Sequence, residues 1–347
     1  MEKYIVGMGE ALWDCLPDGR KIGGAPANFA YHVKQFGFKS LAISAIGKDE
    51  LGAEIVEKFN QRNLEHLLET VDYPTGTVQV TLDQKGIPCY EICEDVAWDN
   101  IPYTDRLDEI AHNCQVVCFG SLAQRNPVSR ETINRFIDSM PLAEDTLKVF
   151  DINLRQHFYT EETIVNSLNK CNVLKINDEE IRVVAELFGL EGTDQDACRQ
   201  LIKDYSLKLV ILTKGADGSE VITEDEVIVQ KVGKVDVVDT VGAGDSFTAA
   251  FIVSYLNGES FETAQKKASE TAAYSEVRLE YEEEIRQADG DMTFLNLVSS
   301  PFVADKKSYP VRWVIVALCG IGAFLLSILV VASIEKTFSS LCKKVLK

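Results

Sequence analysis

The sequence lacks several motifs that assign a function at once. It has nine cysteines but no Cys-x-x-Cys pair, and its four histidines show no common spacing. Zinc ribbons and thiol redox centres need closely spaced ligands or thiols, so the cysteines indicate buried free thiols in a reducing cytosol. No Gly-Lys-Ser or Gly-Lys-Thr sequence is present, which excludes a Walker-type phosphate-binding loop.

Basic residues are also scarce. Lys and Arg total 35 against 54 Asp and Glu, which gives a formal net charge of -19. Such an acidic surface argues against nucleic acid as a partner, although it does not exclude a small anionic substrate. The N-terminus shows no signal peptide, because Met1-Glu2-Lys3 leads directly into a strand-like run. We therefore expect the folded part of the chain to be cytoplasmic.

Short apolar runs alternate with amphipathic helical stretches over most of the chain. This alternation predicts an α/β fold with a doubly wound, mainly parallel sheet, in which ligands bind beyond the carboxyl ends of the strands. The predicted strands are 5–8, 40–46, 116–119, 148–151, 173–176 and 209–213. The predicted helices are 27–36, 130–139, 161–169, 179–188 and 194–205. Two shorter alternating strands are predicted at 77–82 and 89–93.

The most informative segment is 239–247, Asp-Thr-Val-Gly-Ala-Gly-Asp-Ser-Phe. Gly242, Ala243 and Gly244 precede an apolar helix, and free N–H groups at a helix start favour anions. A carboxylate inside an anion site is electrostatically costly, so Asp245 needs a functional reason. The best reason is a base that deprotonates a hydroxyl while the N–H groups hold a transferring phosphoryl group. The alternative is a structural turn with a capping Asp.

A second segment near the N-terminus completes a pattern. Residues 23–28 read Gly-Gly-Ala-Pro-Ala-Asn, 9–14 read Gly-Glu-Ala-Leu-Trp-Asp, and 120–125 read Gly-Ser-Leu-Ala-Gln-Arg. Together with 239–247 they resemble the ribokinase/PfkB carbohydrate kinases, and among them the fructokinases, over about residues 4–274. The resemblance implies a ribokinase-like fold with a small β lid over a sugar site, and it implies ATP, Mg²⁺ and a monovalent cation such as K⁺.

The resemblance also implies positions that contact the sugar. These are Asp14, Gly23, Gly24 and Asn28. Paired donors and acceptors suit sugar hydroxyls, and glycines allow close approach of the backbone. Residues 151–155, Asp-Ile-Asn-Leu-Arg, resemble a strand-end motif of fructokinases and ketodeoxygluconate kinases, in which Arg155 would meet a phosphate or a substrate carboxylate. A surface salt bridge is the alternative for Arg155.

Nucleotide and metal positions are implied in the same way. Asn177 and Glu180 form the Asn-x-x-Glu pattern that the family places near Mg²⁺ and phosphate, with Glu180 acting through metal-bound water. Thr213 and Gly215 match a nucleotide-phosphate turn, so the ATP-binding set is Asn177, Thr213, Gly215, Gly242 and Gly244. Asp239 and Thr240 resemble the monovalent-cation loop, with helix and turn capping as the alternative.

The C-terminal part departs from this pattern. Residues 313–334 carry no charged side chain and exceed the roughly 20 residues that span a bilayer, whereas a buried core helix is the alternative. The segment from Ser300 resembles the end of a Wzz-type polysaccharide chain-length determinant, which suggests a natural fusion, a gene rearrangement or an assembly error. The expected organisation is a kinase domain at 1–274, a charged linker at 275–310, a transmembrane helix at 311–335 and a basic tail at 336–347.

The sequence therefore predicts an ATP-dependent sugar kinase, with fructose as the first substrate candidate. Another ketose, ketodeoxygluconate or a nucleoside remains an alternative. So does a membrane-anchored protein whose kinase fold is incomplete or inactive, because the valine-rich turn and Gly-Ala pair that the family places after Tyr274 are absent. The kinase part would be anchored to the cytoplasmic membrane, and the predicted lid strands offer an edge for a homodimer.

Overall fold

A nine-stranded sheet forms the centre of the part of the chain that the structure, a computed structural model, describes: residues 3–16, 19–82, 88–231 and 242–273. The spatial order of its strands is β13-β12-β11-β10-β9-β8-β1-β4-β5. They are β1 (Tyr4–Met8), β4 (Ser40–Gly47), β5 (His66–Val71), β8 (Cys114–Phe119), β9 (Leu147–Asp151), β10 (Val173–Asn177), β11 (Leu209–Thr213), β12 (Ser219–Ile222) and β13 (Val227–Gln230). All neighbours from β11 to β5 pair in parallel, whereas β12 and β13 are antiparallel. The predicted mainly parallel sheet is confirmed.

Helices cover both faces of this sheet. They are α1 (Ala25–Gln35), α2 (Glu50–Gln61), α3 (Asp105–His112), α4 (Pro127–Ser139), α5 (Glu161–Lys170), α6 (Asp178–Phe188), α7 (Asp194–Tyr205) and α8 (Ala243–Leu256), and residues 261–273 are also helical. The sheet separates two hydrophobic cores, and alternate residues of a strand belong to different cores. In β9, Val149 packs toward α1 and α8, whereas Phe150 packs toward α3 to α7. Period-2 alternation between two apolar faces is expected of a parallel strand that is covered on both sides.

A second sheet has four strands, which alternate in pairs along the chain with strands of the first sheet. It has the order β3-β2-β6-β7, with β2 at Leu12–Leu16, β3 at Gly19–Gly23, β6 at Gly76–Leu82 and β7 at Pro88–Ile92. The hairpin of β6 and β7 contains the two alternating strands that the sequence predicts. The small sheet therefore has the strand content expected of a lid.

Side chains fix most helix starts. Asp49, Thr104, Asn126, Thr160, Asn177 and Thr193 each accept a hydrogen bond from a backbone N–H of the helix that follows. Helices α1 and α8 are different, because each begins after a glycine with positive φ, Gly24 at 114° and Gly242 at 84°. A glycine has no side chain with which to cap the first N–H groups. These two helices pack against each other.

Some sequence-based expectations lie outside the described residues. Among the helices that the structure describes, none is both long and apolar enough to cross a bilayer. The proposed linker at 275–310, the membrane helix at 311–335 and the tail at 336–347 lie outside the described residues, as do Asp239 and Thr240.

Candidate active site

The N-terminus of α8 lies near the carboxyl edge of the central sheet. Gly242 adopts a left-handed conformation with φ 84° and ψ −8°, which glycine accommodates at little cost. Ala243 and Gly244 follow as the first helical residues. Because Gly242 supplies no capping side chain, the first N–H groups of α8 are available to an anion. The role of residues 242–244 as an anion hole stays a prediction.

Asp245 lies in the first turn of this helix. Its Oδ2 accepts a hydrogen bond from Nδ2 of Asn28 on α1, at 2.9 Å, although 217 positions separate the two residues in the chain. Burial, and then the negative charge of Asp151, raise the pKa of Asp245 from 3.8 to about 7, against opposing effects of Asn28 and Lys175. A carboxylate with a pKa near neutrality suits a general base, since it both accepts and releases a proton.

A buried ion pair lies beneath the same turn. Nζ of Lys175 on β10 is 3.1 Å from Oδ1 of Asp151 at the end of β9, and the two residues are only 7% and 6% exposed. The hydroxyl of Thr248 on α8 is 3.1 Å from Oδ2 of Asp151 and 2.9 Å from the carbonyl oxygen of Gly244. Burial acts to lower the pKa of Lys175, but the carboxylates of Asp151 and Glu180 outweigh it and the pKa is raised.

On the other side of the site, the small sheet contributes Asp14. Its carboxylate occupies the space over Gly23, because a Cβ at Gly23 would collide with Oδ2 of Asp14. Burial raises the pKa of Asp14 to about 6, and the charges of Lys21 and Arg155 oppose this shift. A Cβ at Gly24 would collide with the carbonyl oxygen of Glu10. Both glycines are therefore required by close approach of neighbouring groups.

Glu10 is a buried carboxylate next to this glycine pair. It is 3% exposed, and its Oε1 accepts a hydrogen bond from the backbone N–H of Ala25 at 3.3 Å. Burial raises the pKa of Glu10, and the positive charge of Arg155 partly offsets this. Arg155 itself is exposed and donates to the carbonyl oxygen of Leu154 at 3.1 Å. Its charge therefore acts on Asp14 and Glu10 across the site.

The proposed nucleotide residues lie at the ends of β10 and β11. Asn177 is the register partner of Thr213, so the two side-chain positions are adjacent at one edge of the sheet. Oδ1 of Asn177 caps α6 by accepting from the N–H groups of Glu179 and Glu180. The carboxylate of Glu180 accepts from the N–H of Leu154 at 3.0 Å and from the N–H of Asn177 at 3.0 Å. Each oxygen of Glu180 already holds a backbone N–H.

The hydrogen bonds of Glu180 determine how its carboxylate can interact with Mg²⁺. Burial raises the pKa of Glu180, with Lys175 opposing the shift. The remaining lone pairs of its bound oxygens can accept from a metal-bound water, so its chemistry fits an outer-sphere role, which stays a prediction. Within the described residues, no group of three or more His, Cys, Asp or Glu side chains is arranged to hold a metal ion.

The turn after β11 is more tightly built than the sequence indicates. Gly215 is exposed and has a φ of 52°. Lys214 forms an ion pair with Oε1 of Glu220 at 2.6 Å. Thr213 and Gly215 therefore flank Lys214, whose ammonium group is held by Glu220.

The structure joins most of the predicted residues into two groups at one edge of the sheet. Asp245 directly contacts Asn28, and Asp14, Gly23 and Gly24 form the adjoining part. Asn177, Glu180, Thr213 and Gly215 form the second group, and Glu180 joins it to Leu154, the neighbour of Arg155. Sequence reasoning missed Lys175 and Glu10. A signal for Lys175 was present, because a single charged residue interrupts the buried apolar strand 173–176.

Comparisons with known proteins agree with this geometry. The model of the pfkB family carbohydrate kinases matches residues 18–276. An ATP-dependent 6-phosphofructokinase from Thermoanaerobacterium thermosaccharolyticum is 30% identical over 269 residues, covering 76% of this chain and 81% of the relative. A fructokinase from Escherichia coli is 29% identical over 269 residues, covering 71% of this chain and 82% of the relative.

A solved structure gives the same result. The crystal structure of a sugar kinase from Pyrococcus horikoshii in complex with ATP superposes with a TM-score of 0.63 at 27% identity, and the match covers 77% of this chain and 90% of that one. The fold, the paired glycine segments and the family match lead to one conclusion: the chain belongs to the pfkB family of carbohydrate kinases and is a sugar kinase.

Proposed function

We propose that the protein transfers the γ-phosphoryl group of ATP to a hydroxyl of fructose, with Asp245 as the base. The observation that carries this proposal is the position of Asp245 in the first turn of α8. The neighbouring N–H groups have no side-chain cap, because the residue before the helix is Gly242. The relatives described as an ATP-dependent 6-phosphofructokinase and a fructokinase support both the phosphoryl donor and the choice of a ketose.

In the proposed reaction, the sugar hydroxyl oxygen forms a bond to the γ-phosphorus while the bond from that phosphorus to the β,γ-bridging oxygen breaks. The hydroxyl proton passes to Oδ of Asp245, and ADP leaves with the electron pair of the broken bond. Gly242, Ala243 and Gly244 would hold the charge on the transferring group through their N–H groups. Mg²⁺ would neutralise phosphate charge, with Glu180 positioned to accept from its bound water.

The remaining roles divide between the two ends of the site. Asp14, Gly23, Gly24 and Asn28 would bind the sugar, and Arg155 would read any anionic substituent on it. Asn177, Thr213 and Gly215 would contact the nucleotide phosphates together with Gly242 and Gly244. Asp239 and Thr240 would bind a monovalent cation such as K⁺. Another ketose, ketodeoxygluconate or a nucleoside remains the alternative acceptor.

The test is ATP-dependent phosphorylation across a panel of acceptors. The panel contains fructose, fructose 6-phosphate, other hexoses, ketodeoxygluconate, ribose and adenosine, and the wild-type protein is measured beside Asp245→Asn. Asp138→Asn is the matched control, because Asp138 is an exposed partner of Lys170 at the surface. We expect activity with fructose that Asp245→Asn lowers by at least about 10²-fold. Activity that survives in Asp245→Asn would contradict the assignment of the base.

A second candidate is a kinase with a weakened nucleotide site. The family match ends at residue 276, and the sequence after Tyr274 lacks the segment that the family uses to frame adenine. This candidate predicts a KM for ATP raised well above 1 mM while sugar binding is retained. An ordinary KM for ATP would eliminate it. In either case we propose residues 1–274 as the kinase domain.

The tail supports a proposal about location. The uncharged stretch 313–334 is long enough to anchor the protein in the cytoplasmic membrane, with the kinase part on the cytoplasmic side where ATP is available. Carbonate extraction of cells that express the full chain tests this proposal. Release of the protein into the soluble fraction would contradict it, whereas retention in the membrane that is lost after truncation at Ser300 would support it.

A homodimer is proposed on the exposed edges of the small sheet. Strands β3 and β7 are its outer strands, so each has one side that pairs with no other strand of the part of the chain that the structure describes. Light scattering during size-exclusion chromatography would give a mass near twice 38.6 kDa if the protein forms such a dimer. A Pro substitution at an outward-facing position of β3 would return the mass to that of the monomer.

A further inference from the structure

The buried pair of Lys175 and Asp151 is costly for a merely structural role. The strand that carries Lys175 is otherwise apolar, and both members of the pair are more than nine-tenths buried. The desolvation of two buried charges commonly exceeds their mutual attraction, so apolar residues of similar size would stabilise the sheet equally well. Fold stability therefore gives little reason for an ion pair at this position.

The place of the pair supplies a different reason. A Cβ at Gly244 would lie 3.3 Å from Nζ of Lys175, so the ammonium is directly below the turn of residues 242–244. Asp151 holds the ammonium from the neighbouring strand at 3.1 Å, and Thr248 holds the other oxygen of Asp151 from α8. The charge is thus fixed from three elements, β9, β10 and α8, at the point where phosphoryl charge would develop.

We propose that Lys175 is a positioning residue whose fixed positive charge, held by Asp151, supports the anion hole of residues 242–244 and sets how readily Asp245 accepts a proton. The inference rests on the proposed function of this site and goes beyond it by assigning roles to two residues that the proposed reaction does not use. Preorganised charge of this kind acts strongly because the surrounding medium has a low dielectric constant.

Several other groups face Asp245, and each contributes to its proton affinity. They are Asn28 on α1, Glu10 after β1, Cys118 on β8, Asp151 on β9 and Lys175 on β10. Asn28 carries no charge, and burial keeps the thiol of Cys118 protonated by raising its pKa well above the usual value. Glu10 and Asp151 are the negative groups, so Lys175 is the one cation among these five that offsets them.

This arrangement predicts opposite shifts for the two members of the pair. Lys175→Met removes the positive charge and should raise the pKa of Asp245 by about one unit or more. Asp151→Asn removes a negative charge and should lower the pKa of Asp245. A variant that merely loosened the fold would not shift this pKa in opposite directions at the two positions. The double variant Lys175→Met/Asp151→Asn should return the pKa toward that of the wild type.

The experiment measures Asp245 directly and through catalysis. The carboxyl carbon signals of aspartate are followed by NMR from pH 4 to pH 9, and the signal absent in Asp245→Asn identifies Asp245. The acidic limb of kcat/KM is measured in parallel on the full chain. Lys175→Arg is the conservative variant and should retain the wild-type limb, and Lys170→Met, which removes a lysine paired at the surface, should not move it.

For Lys175→Met we also expect kcat to fall about tenfold or more, while KM for sugar and KM for ATP change by less than about threefold. Parallel shifts in Lys175→Met and Asp151→Asn, or no shift in either, would overturn the inference. If Lys175→Met does not fold, Asp151→Asn and Lys175→Arg decide the question, because a pKa of Asp245 that stays unchanged in Asp151→Asn contradicts it. The NMR titration needs no turnover, so failure of the proposed kinase activity is distinguished from failure of this inference.

Discussion

At the scale of single residues, Asp245, the base that we propose, is held in an environment that disfavours its charge. Burial and the nearby carboxylates of Asp151 and Glu10 raise the pKa of Asp245 to about 7, and the hydrogen bond from Asn28 and the charge of Lys175 limit the shift. A group tuned in this way is half-protonated near neutral pH, which is where a base transfers protons most effectively. The same tuning lowers the stability of the folded protein at higher pH.

The first prediction concerns that stability. The folded-state pKa of Asp245 is raised, so the folded protein binds more protons than the unfolded chain between about pH 4 and pH 7, and stability from this group falls as pH rises through that window. Asp245→Asn removes the cost and should stabilise the protein at pH 8 by on the order of 1 to 4 kcal/mol, with no gain near pH 4. Urea unfolding at both pH values measures this, and Asp138→Asn is the surface control. An equal effect at both pH values would contradict the raised pKa.

The second prediction concerns Gly23. A methyl group there would collide with the carboxylate of Asp14, so Gly23→Ala should displace Asp14 from the sugar side of the site. Loss of a hydrogen bond to a charged group predicts a KM for sugar raised by about tenfold or more. The KM for ATP is the internal control and should stay within about twofold. A sugar KM that does not change would show that Asp14 does not contact the sugar.

At the scale of elements, helix α6 contains a residue, Glu180, that serves the fold and lies in the proposed site. Asn177 and Glu180 form a capping box, and Glu180 also binds the N–H of Leu154 in the loop that carries Arg155. The carboxylate of Glu180 thus joins the end of β10, the start of α6 and the loop that carries Arg155. The carboxylate that we propose to serve Mg²⁺ also stabilises the fold, so its loss should have two separable effects.

The third prediction separates them. Glu180→Ala leaves two partly buried N–H groups without their acceptor and should lower the free energy of unfolding by about 1–3 kcal/mol. Glu179→Ala, at the exposed neighbouring position, should cost less than about 0.5 kcal/mol. Urea unfolding gives both values. Glu180→Gln should recover part of the stability but, if Glu180 faces Mg²⁺, should still require a higher Mg²⁺ concentration for half-maximal activity. Equal losses at the two glutamates would refute the capping role.

The elements that the sequence predicted to the residue have a simple local pattern. Strand β11 and helix α7 were predicted to the residue, because the strand is uniformly apolar and Thr193 marks the helix start. Strand β3 was missed because Arg20 and Lys21 interrupt the apolar pattern at an exposed edge, and β2 was missed because Asp14 interrupts its short apolar run. The contact of Asn28 with Asp245 could be expected only from the family resemblance, since nothing local joins residues 217 positions apart. Lys175 shows the converse. The sequence reveals that a charged residue interrupts an apolar strand, but it does not reveal which residues surround that lysine in the fold.

At the scale of the whole molecule, one arginine joins the small sheet to the body of the protein. Arg125 donates to both carboxylate oxygens of Asp99 at 2.8 Å and to the carbonyl oxygen of Cys93, just after β7, at 2.6 Å. Its guanidinium carbon lies 4.1 Å from the ring centre of Trp98 and 4.5 Å from that of Phe158. A planar cation with five donors fits this position, and lysine would not. We expect this join to hold the end of β7 against the body of the protein, and with it the small sheet beside the site.

The last prediction follows from this join. Arg125→Met leaves Asp99 as an uncompensated buried charge and should lower the free energy of unfolding by about 3–5 kcal/mol, whereas Arg125→Met/Asp99→Asn should recover a large part of that loss. Urea unfolding of the single variants and the double variant forms the cycle that measures the coupling. Because the small sheet carries Asp14, a join that positions the sheet should also raise the KM for sugar in the double variant, even where stability is restored. If the double variant recovers stability and keeps the wild-type sugar KM, Arg125 stabilises the fold without positioning the small sheet.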